Sequence, residues 1–275
     1  MYKFILALLT SSILIAAPSI AGTDKLPAGA ESNAMAGISI TNNNIWSAWN
    51  NQAGLSSINK VQLGWYTELP YGISELQNSG MALAIPTDKY GTFAVNVNYF
   101  GYSLYNESAF GLAYGKKLSE NVSVGVGLNY HQISISEPKG NAGTVTAEIG
   151  LQTTFSPKLS SAFHLYNPTR SVIDTETTEE ELPGIAKFAL TYKASEKVHL
   201  VSEIEKDFDN DAILKFGFDY TIIEDLHIRG GIHSNDFEYG FGVGYKFSKF
   251  NVDVASKYQQ DLGFTPSVSM FYTFN

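Results

Sequence analysis

The side chains best suited to chemistry fall between residues 199 and 229. They are His199, Glu203, Lys215, Asp219, His227 and Arg229, with the remaining histidines at 131, 164 and 233. All six sit at odd positions, so on extended chain they share one face within each segment. If two hairpins turn near Asp209 and Ile223, Glu203 faces Lys215 and His199 faces Asp219. In the next hairpin Asp219 faces His227 and Gly217 faces Arg229. Directly opposed residues lie ~5 Å apart at Cβ. Such a set can do three things: pair its own charges along a wall, contact a passing solute, or hold a metal between two histidines and an aspartate. Self-paired charge is the reading the pattern favours, because cross-strand spacing alone does not define a metal's ligand geometry. No serine is tied to a histidine and an acid, and cysteine is absent. No catalytic residue, metal ligand or cofactor is therefore assigned, and the chain is read as a non-enzyme.

The elements that position these residues are written as alternation of period two. In Phe237-Glu238-Tyr239-Gly240-Phe241-Gly242-Val243-Gly244-Tyr245-Lys246-Phe247 every odd position is aromatic or aliphatic, and every even one is glycine or charged. Val122, Val124, Val126, Leu128 and Tyr130 alternate with Ser123, Gly125, Gly127, Asn129 and His131 in the same way. A soluble sandwich would set aliphatics against lysine and glutamate. Here aromatics bound a stripe of about ten residues, the arrangement that the two interfaces of a bilayer select. The composition agrees: 275 residues, 44% hydrophobic, only 16% charged, with 16 Tyr, 17 Phe and 24 Gly. A net charge of -9 argues against a nucleic-acid partner, which needs a basic footprint. Residues 1–21 read as a secretory signal: Lys3, an apolar run from Phe4 to Ala17, and small residues at Ser19 and Ala21.

The fold expected is all-β: a transmembrane antiparallel up-and-down barrel of about fourteen strands over 60–275. The strands are read at 60–69, 78–86, 90–100, 104–117, 121–136, 143–155, 158–166, 185–194, 197–206, 212–221, 225–233, 236–247, 250–258 and 266–275. An even count returns both ends of the barrel to the periplasmic side. The connections 86–89, 118–120, 156–157, 195–196, 222–224 and 248–249 then become short periplasmic turns. The longest connection, 167–184, falls outside and carries Asp174, Glu176, Glu179, Glu180 and Glu181, making that mouth acidic. Val268 to Asn275 forms a last strand with an aromatic end at Phe274.

Residues 22–59 do not alternate. They run through Ala34-Met35-Ala36-Gly37 and then Ile45-Trp46-Ser47-Ala48-Trp49-Asn50-Asn51-Gln52-Ala53-Gly54-Leu55. Small and amide residues suit close packing in a confined polar space. The bare inward faces at Gly125, Gly127, Gly240, Gly242 and Gly244 leave room for such a segment. A plug inside the barrel is expected over residues 33–55, with Trp46 or Trp49 buried, Asn50 and Asn51 hydrogen-bonded to the lumen, and Gly54 in the closing motif.

This order of motifs resembles the N-terminal hatch of the FadL-type fatty-acid channels and of the PorV/PorQ-type barrels of Bacteroidetes. Gln52 stands where that family usually has proline, and Leu262-Gly263-Phe264-Thr265-Pro266 is also similar to PorV/PorQ-type relatives. The resemblance implies a fourteen-stranded barrel in the outer membrane, in contact with its lipid. FadL transporters are longer, with large extracellular loops, so the fold carries over further than fatty-acid transport. Two functions follow: a channel or transporter for small hydrophobic ligands, or a PorV-like binding or structural component of a secretion or assembly machine.

Overall fold

The computed structural model describes residues 25–136, 140–175, 178–235 and 237–275. The signal reading of residues 1–21 lies outside them.

Fourteen antiparallel strands close into a barrel. They are β1 (Gln62–Glu68), β2 (Asn78–Thr87), β3 (Gly91–Gly101), β4 (Tyr105–Ser119), β5 (Val122–Ile135), β6 (Gly140–Ser156) and β7 (Leu159–Tyr166), then β10 (Ile185–Ser195), β11 (Val198–Asp207), β12 (Ile213–Ile223), β13 (Leu226–His233), β14 (Tyr239–Phe247), β15 (Phe250–Gln259) and β16 (Gly263–Thr273). β1 pairs with β16 from Gln62↔Thr273 to Glu68↔Ser267, so the sheet has no free edge. Each strand follows its alternation. On β14, Tyr239, Phe241, Val243 and Tyr245 are exposed while Gly240, Gly242 and Gly244 are buried. The exposed face is the apolar one, the inverse of a soluble protein and the pattern lipid requires. Tyr239, Tyr258 and Phe264 meet at one rim, with centroids 5.0 and 4.8 Å apart. Phe250, Tyr272 and Phe274 do so at the other, at 4.8 Å each. These outward aromatics are the two girdles that the sequence places at the ends of its stripes.

The turns at one end, 88–90, 120–121, 157–158, 196–197, 224–225 and 248–249, are two or three residues long. This is the turn end; the longer connections gather at the opposite, loop end. Two details depart from the sequence reading. The connection 167–184 is not a plain loop. It folds into a hairpin, β8 (Val172–Thr175) and β9 (Thr178–Glu181), outside the barrel sheet. Ile173 and Leu182 turn inward from it and pack on Ile133, because an apolar side chain at this end has no lipid to face. The register of β12 against β13 also differs from the expected one. Asp219 lies opposite Arg229, Gly217 opposite Gly231, and His227 opposite Thr221. The chain turns later than expected, at Glu224–Asp225 rather than at Ile223, and a bulge between Thr221 and Ile223 takes back part of the resulting displacement. The shift is two residues, so every side chain keeps its face. The expected pairs Glu203↔Lys215 and His199↔Asp219 are present between β11 and β12.

The core lies inside the barrel and is built largely on residues 28–58. That segment forms two short helices, α1 (Ala30–Ala34) and α2 (Ser47–Asn50), and a 3-10 turn over Gln52–Ser57. Ile45, Trp46, Trp49, Leu55 and Ile58 pack with Tyr66 and Phe271 of the wall. Ile38, Ile40 and Met35 pack on Ala162, Ala189 and Val201, and Ala30 and Ala34 on Ala255.

Candidate functional site: a filled lumen between two cavities

The N-terminal segment is seated by backbone contact and by amides. At Gly240 a Cβ would stand 2.2 Å from the Asn33 carbonyl oxygen, and at Gly125 2.2 Å from the Gln52 carbonyl carbon. The wall is bare at these places because another backbone occupies the space. The amides do the rest. Asn50 clasps residue 28 from both sides: its Oδ1 accepts from Ala28 N at 2.9 Å, and its Nδ2 donates to the Ala28 carbonyl at 2.9 Å. Asn51 donates to the Ile40 carbonyl at 2.9 Å and to the wall carbonyls of Phe163 and Leu151 at 3.2 and 3.4 Å, and accepts from Ala53 N at 3.2 Å. Asn33 donates to Glu68 of β1 at 2.7 Å, and Ser269 of β16 accepts from Ala30 N at 3.0 Å. Gly54 lies against the Asn42 carbonyl and Ser47. Trp46 and Trp49 stack with ring centroids 6.2 Å apart, and both meet the Tyr66 ring edge-on.

The six lumen residues singled out in the sequence do not form one cluster. Asp219 joins His227 at 2.8 Å and Arg229 at 2.6 Å, and Arg229 reaches on to Asp253. Glu203 lies 3.4 Å from Lys215, which is held more closely by Glu205 at 2.6 Å; Lys187 shares Glu205 at 2.8 Å. Glu203 in turn accepts from the backbone N–H of Ser39 at 3.2 Å, so this second group also holds the segment. His199 stands across from Asp219 but is exposed at the turn end. Among the described residues no three His, Cys, Asp or Glu side chains are grouped to hold a metal.

Sequence reasoning missed a third group. Glu148 of β6, fully buried, accepts from Lys25 at 2.8 Å, from Gln52 at 3.0 Å and from Asn129, and lies 2.8 Å from His164. Its inward parity was legible, since Glu148 shares the face of Gly150. Asn129 on β5 and His164 on β7 are its diagonal cross-strand neighbours, but Gln52 and Lys25 come from the N-terminal segment, which no hairpin rule connects to β6. Inside the same segment, Asn42 and Asn44 both donate to Glu31. Burial pushes the Glu31 carboxyl up to about 7, with the Arg229 guanidinium pulling the other way.

The segment divides the lumen. Toward the turn end lies a polar vestibule of about 510 Å³, with Asn42, Asn43 and Asn44 on its segment side and Gln152, His199 and Arg229 on its wall. Toward the loop end lies a cavity of about 70 Å³ over Trp49, Tyr66 and Lys25, with Ile173 and Leu182 of the folded-in connection above it. Asn42, Asn43 and Asn44 of the segment border the first and Trp49 the second. Outside the barrel, the ribs Leu83, Phe93, Leu112 and Val126 border an almost wholly apolar groove of about 330 Å³.

No family model and no curated protein matches the chain. Solved structures do. The CymD monoaromatic hydrocarbon channel superposes with a TM-score of 0.67 at 14% identity, over 92% of this chain and 99% of that one. The toluene transporter TbuX of Ralstonia pickettii gives 0.68 at 9% identity, over 92% and 100%. A Pseudomonas aeruginosa FadL homologue gives 0.62 at 12% identity, over 90% and 98%. The chain thus shares its fourteen-stranded barrel fold with these channel and transporter structures.

Proposed function

We propose that this protein is an outer-membrane channel that admits small, largely apolar molecules past a seated N-terminal segment. Residues 1–21 serve as the export signal, 22–59 as the hatch and 60–275 as the barrel. One observation carries the reading: a closed wall, apolar toward lipid, encloses a segment of its own chain with a cavity on either side. The likeness in fold to structures named as monoaromatic hydrocarbon channels and toluene transporters supports the same direction. On this reading the turn end faces the periplasm. His199, Glu203, Lys215, Asp219, His227 and Arg229 line or brace the route, and Trp46, Trp49, Asn50, Asn51 and Gly54 form the closure. Fractionation should recover the protein with outer membranes, with heat-modifiable migration on a gel. Deleting residues 24–55 should raise single-channel conductance in planar bilayers; unchanged conductance would refute the reading.

A second reading is favoured by how completely the segment occupies the lumen: a PorV-like binding or structural component of a secretion or assembly machine, for which a closed barrel is an advantage. It expects no ligand-dependent permeation in liposomes, whereas the channel reading expects it.

A further inference from the structure

Three cations converge at the mouth of the turn-end vestibule. Lys193 of β10 lies directly opposite His199 of β11, and the backbone N–H of Lys193 donates to the Lys158 carbonyl of the neighbouring turn at 2.8 Å. All three residues line the vestibule. Among the described residues one carboxylate pairs with them. Glu196, in the turn between β10 and β11, is bonded to Lys193 at 2.7 Å with its side chain 90% exposed. Its carboxyl is held below the usual carboxylate range by Lys193, with His199 and Lys158 adding to the pull. An ion pair so open to water is weakly held. Asp219, opposite His199, is taken up by Arg229 and His227 instead. Next to the cations, Thr154 and Ser160 face each other from β6 and β7, both lining the vestibule and neither buried. The turn end is also the basic end of the molecule. Lys89, Lys158, Lys197 and Lys249 stand in four of its six turns, while the acidic connection 167–184 lies at the opposite end. The local field at this mouth therefore favours an anion.

We propose that Lys158, Lys193 and His199 form a site for the carboxylate of a small hydroxylated organic acid, whose body lies in the vestibule against Thr154 and Ser160. Glu196 is a tethered occupant of the same site, and the incoming carboxylate displaces it. The vestibule, about 510 Å³, falls within the ~300–1,000 Å³ that small-molecule pockets span. Its amides and hydroxyls suit a hydroxylated body better than a hydrocarbon. This ligand is distinct from the apolar solute of the channel reading, and the site requires no passage through the barrel.

The test is a ligand-observed NMR titration of the full barrel in detergent at low salt, with glucuronate, its neutral counterpart glucose, and acetate. Glucuronate should bind most tightly, acetate less tightly, and glucose not measurably. K193Q should weaken glucuronate about tenfold, the low end of what a hydrogen bond to a charged group contributes. E196Q removes the tethered competitor and should tighten glucuronate about threefold, the scale of an exposed pair. Both changes sit at the rim, and unaltered heat-modifiable migration on a gel verifies that each barrel has folded. Glucose binding as tightly as glucuronate, or glucuronate indifferent to K193Q, overturns the site. Acetate matching glucuronate overturns the hydroxylated ligand, and E196Q binding no tighter than the parent overturns the role of Glu196. Liposome uptake of toluene tests the channel reading separately, and its failure leaves this site standing.

Discussion

Replacing Gly240 by alanine is expected to dislodge the N-terminal segment while leaving the barrel closed. Glycine inside a strand ordinarily costs about 0.5–1 kcal/mol relative to alanine, so on a bare wall the change would stabilise. Here the new methyl would stand 2.2 Å from the Asn33 carbonyl oxygen, 2.7 Å from Ala36 N and 2.8 Å from the Ala34 carbonyl oxygen. All three are backbone atoms and cannot swing away. Overpacking costs about 1–3 kcal/mol, and three backbone overlaps place this case at the upper end. Net of the strand gain, seating should weaken by about 2 kcal/mol, roughly thirtyfold in the docking equilibrium. Gly125 is a second, independent case: its methyl would meet the Gln52 carbonyl carbon at 2.2 Å and Ala53 N at 2.3 Å. Gly127, on the same strand and face, is the control, because its methyl would approach the Gln52 side chain at 3.2 Å and overlap no backbone atom. Planar-bilayer conductance and acrylamide quenching of Trp46 and Trp49 in a W65F background report the outcome. G240A and G125A should conduct more and quench faster, and G127A should match the parent. If all three behave alike, contact between wall and segment does not govern seating, and the reasoning fails.

Phe218→Arg and Val243→Arg, on the exposed face, should each cost about 2–4 kcal/mol near the midplane, read by urea titration in lipid. Ala255→Arg, on the inner face against Ala30 and Ala34, should instead release the segment and raise conductance. Arg229→Met should destabilise by about 3–5 kcal/mol, since Asp219 and Asp253 lose the cation between them, and Asp253→Asn should recover part of that loss in the same titration. Seating should also depend on pH through Glu31. Burial holds its carboxyl at about 7 in the seated segment, against an ordinary value of 4.5, so seating takes up a proton. That contribution is fully present below about 4.5 and is lost as pH rises through 7. Protease access to the segment should therefore increase from pH 5 to 8 in the parent and stay flat in Glu31→Gln.

The barrel was legible in the sequence because a membrane strand needs an uninterrupted alternation, and segments such as 237–247 display it residue by residue. The facing of Phe218, Val243 and Val254 toward lipid, and of Gly217 and Ala255 inward, follows from parity alone. Pairing was legible only where the turn is regular: β11 and β12 pair as the sequence suggests, while a later turn at Glu224–Asp225 combined with the bulge at Thr221–Ile223 displaces β12 from β13 by two residues. A bulge of that kind leaves no sequence mark, since it depends on how the turn closes. The hairpin of β8 and β9 was hidden for a different reason: two four-residue strands, one carrying Asp174 and the other three glutamates, look like a solvated loop. Asn50, expected to bond the lumen, instead bonds Ala28, Ser32 and Asn42 of its own segment, and Gln52 and Lys25, the partners that the segment gives Glu148, lie 96 and 123 residues away in the chain, beyond the reach of strand pairing.

The brevity of the six turns bears on what this molecule can be joined to. A stable protein–protein contact buries about 800 Å² on each side. Turns of two and three residues raise little chain above this rim among the described residues, and at its centre opens a vestibule lined with amides. On the channel reading, a solute leaving by that end passes from amide side chains to water. A soluble protein collecting it would bring its receiving surface to a ring of short turns.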